Sequence, residues 1–593
     1  MTLVDQSIGW LILPLAVWFL VSGVDDFVVD FTRWLLWGYG KIRKQYTNNL
    51  PSDDRLADLP EKKIAIVVPL WREYTVIRHM VEHNNAAIRY SNYHFFIGGY
   101  PNDDATLDAV RELEDRFPNV HLALCPHDGP TSKADCLNWI YQRILLYEQG
   151  HAEPFDVLVT HDAEDLIHPQ SLLWINFYAG THDMIQIPVL PLSTPFLEWT
   201  HGVYRDEFCE YQSRDMPVRQ FMGAFVPSCG VGTGFTRGAL DRLAVSESNR
   251  IFEPACLTED YENGFRLRLQ GARQMFVPVT LRDGSFLATR ELFPHSFYSA
   301  VRQRTRWVTG IALQGWERHG WSGGLAIRYW LWRDRKGLVG NPLSLLGNAI
   351  FLYGAGTWLA SRVAHSPWGL GGVSPAGMPA WLLPLNGVFG GLRLLIRFFC
   401  VGRICGWSFA AGVPLRTVLA NLINSAASLA ALHQYFRARL RHEPLRWLKT
   451  EHAYPSLSAL KPHKPKLGQV LVGSCYISEG DLHNALDTQP SGTRLGEHLI
   501  ALGCLSEDDL YEGLSLQQSL PLANLVASDV EREVARSFPS RLLKDWRVLP
   551  FKVQAGSLYV AGPELPTDEL QRALRPFSTL EIRFHLITPS GFE

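Results

Sequence analysis

The chain has 593 residues, and at about 100 to 200 residues per domain that means roughly three to five domains, which excludes a single compact unit. Lys and Arg total 56 against 59 Asp and Glu, a formal charge of −3 that supplies no drive toward a nucleic-acid polymer and disfavours generic DNA or RNA binding. The 19 Trp, 20 Tyr and 30 Phe with only 19% charged residues exclude disorder for most of the chain and indicate soluble and membrane segments averaged together, while nine Cys without zinc-type spacing fit a reducing compartment.

From Ile8 to Val24 seventeen residues carry no charge, just enough to cross a bilayer core. No basic stretch precedes them and no A-x-A site follows, which argues against a cleaved signal peptide. Arg33, Lys41, Arg43 and Lys44 come next, so the bias of basic residues toward the cytoplasm places the N-terminus outside and the following domain inside. A second uncharged run, Gly337 to Ser361, follows Arg328, Arg333, Arg335 and Lys336 and is expected to cross outward. A third, Pro379 to Val401, is apolar except for Arg393 and Arg397, which share a stripe with Asn386 and Gly390 and should face protein or the interface rather than lipid. The fourth, Leu415 to Tyr435, carries Asn421, Asn424, Ser425, Ser428 and His433 between basic ends and reads as an interfacial helix. Exchanging the third and fourth roles is the competing topology. Either way the C-terminal part returns to the cytoplasm.

Between these segments the chain alternates strand and helix patterns. The runs Lys63 to Pro69, His94 to Asp103 and Asp156 to Asp165 read as strands of an α/β domain, with functional groups collected at the carboxyl ends of parallel strands. Four local signals stand out. Glu73, after the first strand, can bond a nucleoside or cap a surface helix. Asp162-Ala163-Glu164-Asp165 can hold a divalent ion against a diphosphate, or cap a helix. Thr258-Glu259-Asp260 can supply a general base, or form a solvated acidic turn. Gln303-x-x-Arg306-Trp307 places a planar cation beside an indole, suited to a pyrophosphate leaving group and a sugar face, or to an amphipathic helix reaching the membrane.

In order and spacing together these signals resemble the family-2 glycosyltransferases of the membrane-embedded processive type, over about residues 60 to 340. The resemblance implies a GT-A fold, a nucleotide-sugar donor, a Mg²⁺ or Mn²⁺ ion and inversion at the anomeric carbon. It assigns the metal to Asp162 and Glu164, with Asp165 a competitor for the second place. It makes Asp260 the base beside Glu259, and gives Gln303, Arg306 and Trp307 catalytic roles. By the same likeness Pro69, Glu73, Asp103, Lys133 and Asp162 bind the donor, and the glycine turn Gly230 to Arg237 lies on the acceptor side, although a purely structural turn reads equally well.

Beyond a Pro-containing linker the sequence repeats at an offset of 28 residues: Lys466 to Gln489 aligns with Arg494 to Gln517. The plainest reading is a pair of packed helical hairpins. The copies also resemble the paired motif of the MshEN domain, which binds cyclic di-GMP, with residues 536 to 593 as its βαβ completion. That likeness assigns the ligand to Arg494, Leu495, Gly496, Leu510, Leu514 and Gln517 in the second copy, and to Lys466, Leu467, Gly468, Leu482, Leu486 and Gln489 in the first. The first copy departs from the pattern at Lys466 and Cys475.

The expected architecture is therefore multidomain α/β. Residues 1–51 form a transmembrane helix and interfacial segment, 52–336 a GT-A domain, 337–450 transmembrane and interfacial helices, 451–465 a linker, and 466–593 an α+β MshEN-like regulatory domain. This order of parts resembles the bacteriophage adsorption protein B family. It implies a bacterial inner-membrane hexosyltransferase that makes an exported polysaccharide from a nucleotide-sugar such as a UDP-sugar, on a glycan or lipid-linked acceptor, with cyclic di-GMP as activator and an outer-envelope export partner. The rival readings are transfer of one sugar to a polyprenyl phosphate, and a non-catalytic envelope or phage-uptake scaffold.

Overall fold

Helix α1 (Leu3–Ile42) contains the first uncharged run but continues well past it, for 40 residues in all. The computed structural model describes residues 3–42, 51–244, 249–281, 286–372, 378–442, 467–473, 476–490, 492–518, 520–523, 525, 529–554, 557–578 and 580–592. They fall into two compact units, Met1–Ala459 and Leu460–Glu593.

In the first unit the apolar run after Lys63 becomes strand β1 (Ile64–Pro69), whose residues 64 to 68 are buried, as a strand covered on both faces must be. Each such side chain contributes about 1.5 to 3 kcal/mol on burial. The chain then alternates through α2 (Tyr74–Ala87), β2 (Tyr93–Gly99), α3 (Asp104–Arg116), β3 (Val120–Leu124), α4 (Lys133–His151) and β4 (Val157–Thr160). Strands β5 (Met184–Gln186), β6 (Val189–Pro191), β7 (Thr233–Thr236), β8 (Gln274–Phe276) and β9 (Thr289–Glu291) follow. The main sheet has the order β3-β2-β1-β4-β7-β5-β8. It is parallel except that β7 runs against both of its neighbours, and β6 pairs with β9 in a separate two-stranded ladder. Strand order reverses between β1 and β4. The crevice beyond their carboxyl ends is the topological switch point, where open α/β sheets bind ligands.

Helices α5 (Trp199–Glu210), α6 (Glu259–Leu269), α7 (Phe297–Trp307) and α8 (Leu325–Arg335) join this sheet to α9 (Gly337–Val363), α10 (Leu382–Cys405) and α11 (Val413–Arg441). Among the described residues three helices are long and apolar enough to cross a membrane: Val4–Tyr39 within α1, α9, and α11. The segment expected to be interfacial thus forms the third of them. Its buried face, however, is polar and seated on the transferase helices. Arg416 makes a bidentate pair with Asp206 at 2.8 Å, and Asn424 donates to Glu207 at 3.0 Å, while Leu415, Val418, Leu422, Leu429 and Phe436 lie exposed along one side. In α10 the polar stripe faces protein, as expected. Arg397 bonds Glu210 at 2.7 Å, Arg393 pairs with the same carboxylate, and Asn386 donates to Ala16 O at 2.8 Å.

The second unit begins with four short helices, α12 (Leu467–Gly473), α13 (Glu479–Thr488), α14 (Leu495–Ala501) and α15 (Glu507–Gln518), and its sheet region includes β10 (Leu549–Gln554), β11 (Ser557–Gly562), α16 (Asp568–Leu574) and β12 (Glu581–Leu586). Strands β11 and β12 are parallel across α16, and β10 pairs antiparallel with β11. A shared core that includes Leu471, Leu499, Leu510, Val560 and Leu586 unites helices and sheet.

Candidate active site

At the switch point, a cleft opens between the loop after β1, the loop after β4 and the start of α4. Pro69, Glu73, Lys133, Asp162, Glu164 and Arg306 line it, so six residues singled out in the sequence meet in one place. Trp71 and Tyr100 also line it, packed edge to face at 5.5 Å, and neither carries a sequence signal that would have found it. Asp103 stands behind the wall. It accepts from the Arg72 backbone N–H at 2.6 Å and fixes the turn that presents Glu73. The N-terminus of α4 also faces the cleft: Ser132 caps the helix by accepting from Asp135 N–H, and Thr131, Ser132 and Lys133 form the lining. A helix N-terminus beside a lysine is a ready anion site, suited to a diphosphate.

Lys133 Nζ lies 2.5 Å from Asp162 Oδ1. Burial alone would lower the Lys133 pKa, but Asp162, Glu259 and Asp260 more than offset it and hold the ammonium charged. Glu164 and Asp165 occupy different places. Asp165 is fully buried, bonds His161 Nδ1 at 2.7 Å and accepts from Asp162 N–H at 3.0 Å, whereas Glu164 lines the cleft. Asn84 of α2 pins the same loop by donating to Asp165 O and accepting from Ile167 N–H, both at 2.9 Å. Burial pushes the Asp165 carboxyl well up and His161 down to about 3, so the inner pair tends to neutrality.

Thr258 takes the N-cap position of α6, and Glu259 and Asp260 at its start reach the same place. The glycine turn confirms the proximity: a Cβ built on Gly230 would lie 2.6 Å from Asp260 Oδ2 and 3.7 Å from Lys133 Nζ. Gln186 on β5 holds that turn, accepting from Cys229 N–H at 2.8 Å and donating to Val231 O at 2.9 Å. Burial raises the Asp260 pKa against the opposing pull of Lys133 and Arg306. Burial and the charge of Asp260 push Glu259 up to about 7.

On α7, Arg306 reaches the cleft, and its Nε and Gln303 Oε1 are buried without a hydrogen-bond partner among the described residues. Buried polar atoms of this kind call for a ligand or water. Trp307, like Glu259, Asp260 and Gln303, is not part of the cleft lining. Its indole belongs to an aromatic cluster with Tyr204, Phe208 and Phe293 at centroid distances of 6.1 to 6.5 Å. Helical geometry is the reason: adjacent positions point about 100° apart, so Arg306 and Trp307 cannot both face one wall. Glu291, at the end of β9, was not foreseen. Burial together with Asp165, Glu164 and Asp162 drives its pKa well up, which puts it beside the acids after β4. It arrives through the backbone bridge between Leu166 and Arg290, a contact across 124 residues that no local pattern announces.

Among the described residues no group of three or more His, Cys, Asp or Glu is arranged to hold a metal on protein ligands alone. Asp162 and Glu164 still suit a Mg²⁺ or Mn²⁺ ion of the kind that takes one or two carboxylates and completes its shell with substrate phosphates and water.

In the second unit the two copies of the repeat do the same thing. A Cβ on Gly468 would meet Leu482 Cδ1 at 2.6 Å, and one on Gly496 would meet Leu510 Cδ1 at 2.5 Å. Each glycine therefore lets its helix close on the leucine fourteen positions later, which gives Gly468, Leu482, Gly496 and Leu510 a packing role. Leu467, Leu495 and Leu514 flank that core, half-buried. Leu486 and Arg494 are exposed, Gln489 donates to Thr493 O at 2.5 Å, and Gln517 sits half-buried near the end of α15. Lys466 and Cys475 lie outside the described residues.

Comparison with known proteins agrees with this division. Residues 60–310 match the family described as glycosyltransferase like family 2, and residues 518–593 match the MshEN domain, a match that begins where the second copy of the repeat ends. Bacteriophage adsorption protein B of Escherichia coli (strain K12) is 34% identical over 574 residues, covering 93% of this chain and 76% of that protein. Among solved structures, the mannosyltransferase PcManGT from Pyrobaculum calidifontis in complex with GDP-Man and Mn²⁺ aligns at 16% identity over 70% of this chain and 99% of its own, with a TM-score of 0.43. MshE with cyclic di-GMP aligns at 29% identity over 22% of this chain and 94% of its own, with a TM-score of 0.20.

Proposed function

Since the chain belongs to the bacteriophage adsorption protein B family, we propose that it is an inner-membrane processive glycosyltransferase that makes an exported polysaccharide from a nucleotide-sugar donor under cyclic di-GMP activation. The observation that carries the reading is that Lys133, Asp162 and Arg306 line one cleft while Asp260 stands close enough to Lys133 and Arg306 to feel their charge, four separate stretches of chain brought together. The donor nucleoside lies toward Glu73 and the Asp103-braced turn, with its diphosphate at the α4 N-terminus. Asp162 and Glu164 would hold a divalent ion, which when bound would supply charge stabilisation to the diphosphate. Asp260 removes the proton of the attacking acceptor hydroxyl, and Arg306 and Lys133 neutralise the departing diphosphate, which gives a single inverting displacement.

In this reading α1 and α9 cross the membrane. Helix α10, although not among the three helices apolar enough by composition, crosses back with Asn386 on α1 and Arg397 on Glu210. Helix α11, although apolar enough, lies at the cytoplasmic face because its polar side is seated on Asp206 and Glu207, so the catalytic and C-terminal units are cytoplasmic. Arg494 at the head of α14 contacts a phosphate of cyclic di-GMP, and Gln489 and Gln517 bond the guanines. The test is turnover of a panel of UDP- and GDP-sugars by purified membranes, with products sized by mass spectrometry. A polymer that grows only with cyclic di-GMP and vanishes in Asp260→Asn is expected. Undiminished synthesis by that variant would refute the base, and a product one sugar long would refute processivity.

A further inference from the structure

Helix α7 does not stop at Trp307; it continues as a π-helical segment, Val308–Gln314. Such segments insert a residue into a helix at a cost in regularity and are found mostly at functional sites. Gln314, its last residue, is 6% exposed and spends both ends of its amide on the irregular stretch just before Thr258. Its Oε1 accepts from Leu257 N–H at 3.0 Å, and its Nε2 donates to Ala255 O at 3.1 Å. Thr258 is backed by the same segment, since a Cβ on Gly310 would collide with its side chain. Glu259 and Asp260 follow at once. At the far side of the acidic pair, Tyr261 donates to Asp334 at 2.6 Å, and Arg219 holds that carboxylate with two bonds of 3.0 and 2.9 Å.

We propose that Gln314 is a positioning residue for glycosyl transfer. It fastens the turn bearing Asp260 to the element that carries Gln303 and Arg306, so one continuous helix sets the separation between the base and the leaving-group cation. The inference rests on the reading of Asp260 as base. A carboxamide is the group the place requires. It satisfies the buried Leu257 N–H and the Ala255 C=O together, and it adds no charge beside two carboxylates whose protonation matters. Displacing a reacting group by about 1 Å costs on the order of a hundredfold in rate, so a loop held by two such bonds leaves little tolerance.

The experiment uses the full-length protein. Gln314→Met keeps the volume and removes both bonds; Gln314→Glu keeps the acceptor and donates only when protonated. The readouts are kcat and KM with the nucleotide-sugar that the wild type turns over, calorimetric binding of UDP and GDP with Mn²⁺, thermal unfolding, and kcat across pH. Gln314→Met is expected to lower kcat by about tenfold to a hundredfold while nucleotide binding stays within about twofold. The kcat of Gln314→Glu, relative to wild type, should rise as pH falls from about 8 to about 6, where a buried glutamic acid regains its proton. A kcat for Gln314→Met within about threefold of wild type, or a fall matched by equal loss of nucleotide binding, overturns the proposal. If that variant does not fold, Gln314→Glu decides alone, and a pH-independent ratio overturns it. Retained turnover in Asp260→Asn would instead sink the base assignment; an inactive Asp260→Asn with normal Gln314 variants sinks only this inference.

Discussion

Replacing Gly230 by alanine tests the catalytic geometry with one methyl group. The new Cβ would sit 2.6 Å from Asp260 Oδ2, where ordinary contact begins at 3.4 Å. If the glycine turn holds, and Gln186 fastens it from β5, the carboxylate must retreat by about 0.8 Å, nearly the displacement that costs a hundredfold in a positioned reaction. The backbone adds a smaller penalty. Gly230 has φ of 83°, and a side chain in that region costs on the order of 1 kcal/mol in stability. Gly230→Ala should therefore lower kcat by about thirtyfold to a hundredfold, with UDP and Mn²⁺ binding nearly unchanged and a modest fall in melting temperature. The matched control is Gly238→Ala in the helix Arg237–Leu243, where a Cβ meets nothing within 4 Å and helix propensity favours alanine. Sugar transfer and calorimetry on the same preparations decide the matter. A kcat for Gly230→Ala within about threefold of wild type would mean that Asp260 is not the base, or that it works from another position.

Four other outcomes are expected. Since the base must be ionised and burial raises the Asp260 pKa, kcat/KM should climb with pH along an acid limb displaced upward from the ordinary carboxylate range; a limb at or below about pH 4 would show that the buried Asp260 does not govern catalysis. Asp162→Asn should abolish the metal dependence of nucleotide binding and free Lys133 from its ion pair, and unchanged Mn²⁺ dependence in titrations would place the metal elsewhere. Arg494→Ala should weaken cyclic di-GMP at least about tenfold and remove its stimulation of synthesis without unfolding the domain, because Arg494 is exposed and the Gly496 to Leu510 contact persists; calorimetry with unaltered affinity would leave the repeat a structural module. Tags at residues 1 and 370 should be reachable from the periplasm and tags at 150 and 593 should not, and a cytoplasmic residue 370 would overturn the outward crossing of α9.

Whatever repeats or clusters along the chain was legible before any fold was known. The buried strand from Ile64 to Pro69, the acids at the end of β4 and the 28-residue repeat all follow from local periodicity, because a strand, a helix face or a duplicated hairpin is specified by neighbours a few positions apart. Which acid of Glu164 and Asp165 lines the cleft was not legible, since both follow the same strand. The choice is made by Asn84 and His161, which draw Asp165 inward and leave Glu164 at the wall. The arrival of Glu291 beside those acids, the seating of Gly230 against Asp260 and the grip of Gln314 on the turn before Thr258 likewise join parts of the chain that only the sheet order and the helix crossings bring together. Sequence spacing carries no record of such contacts, because a long connection costs little more to close than a short one, and packing alone decides where each connection ends.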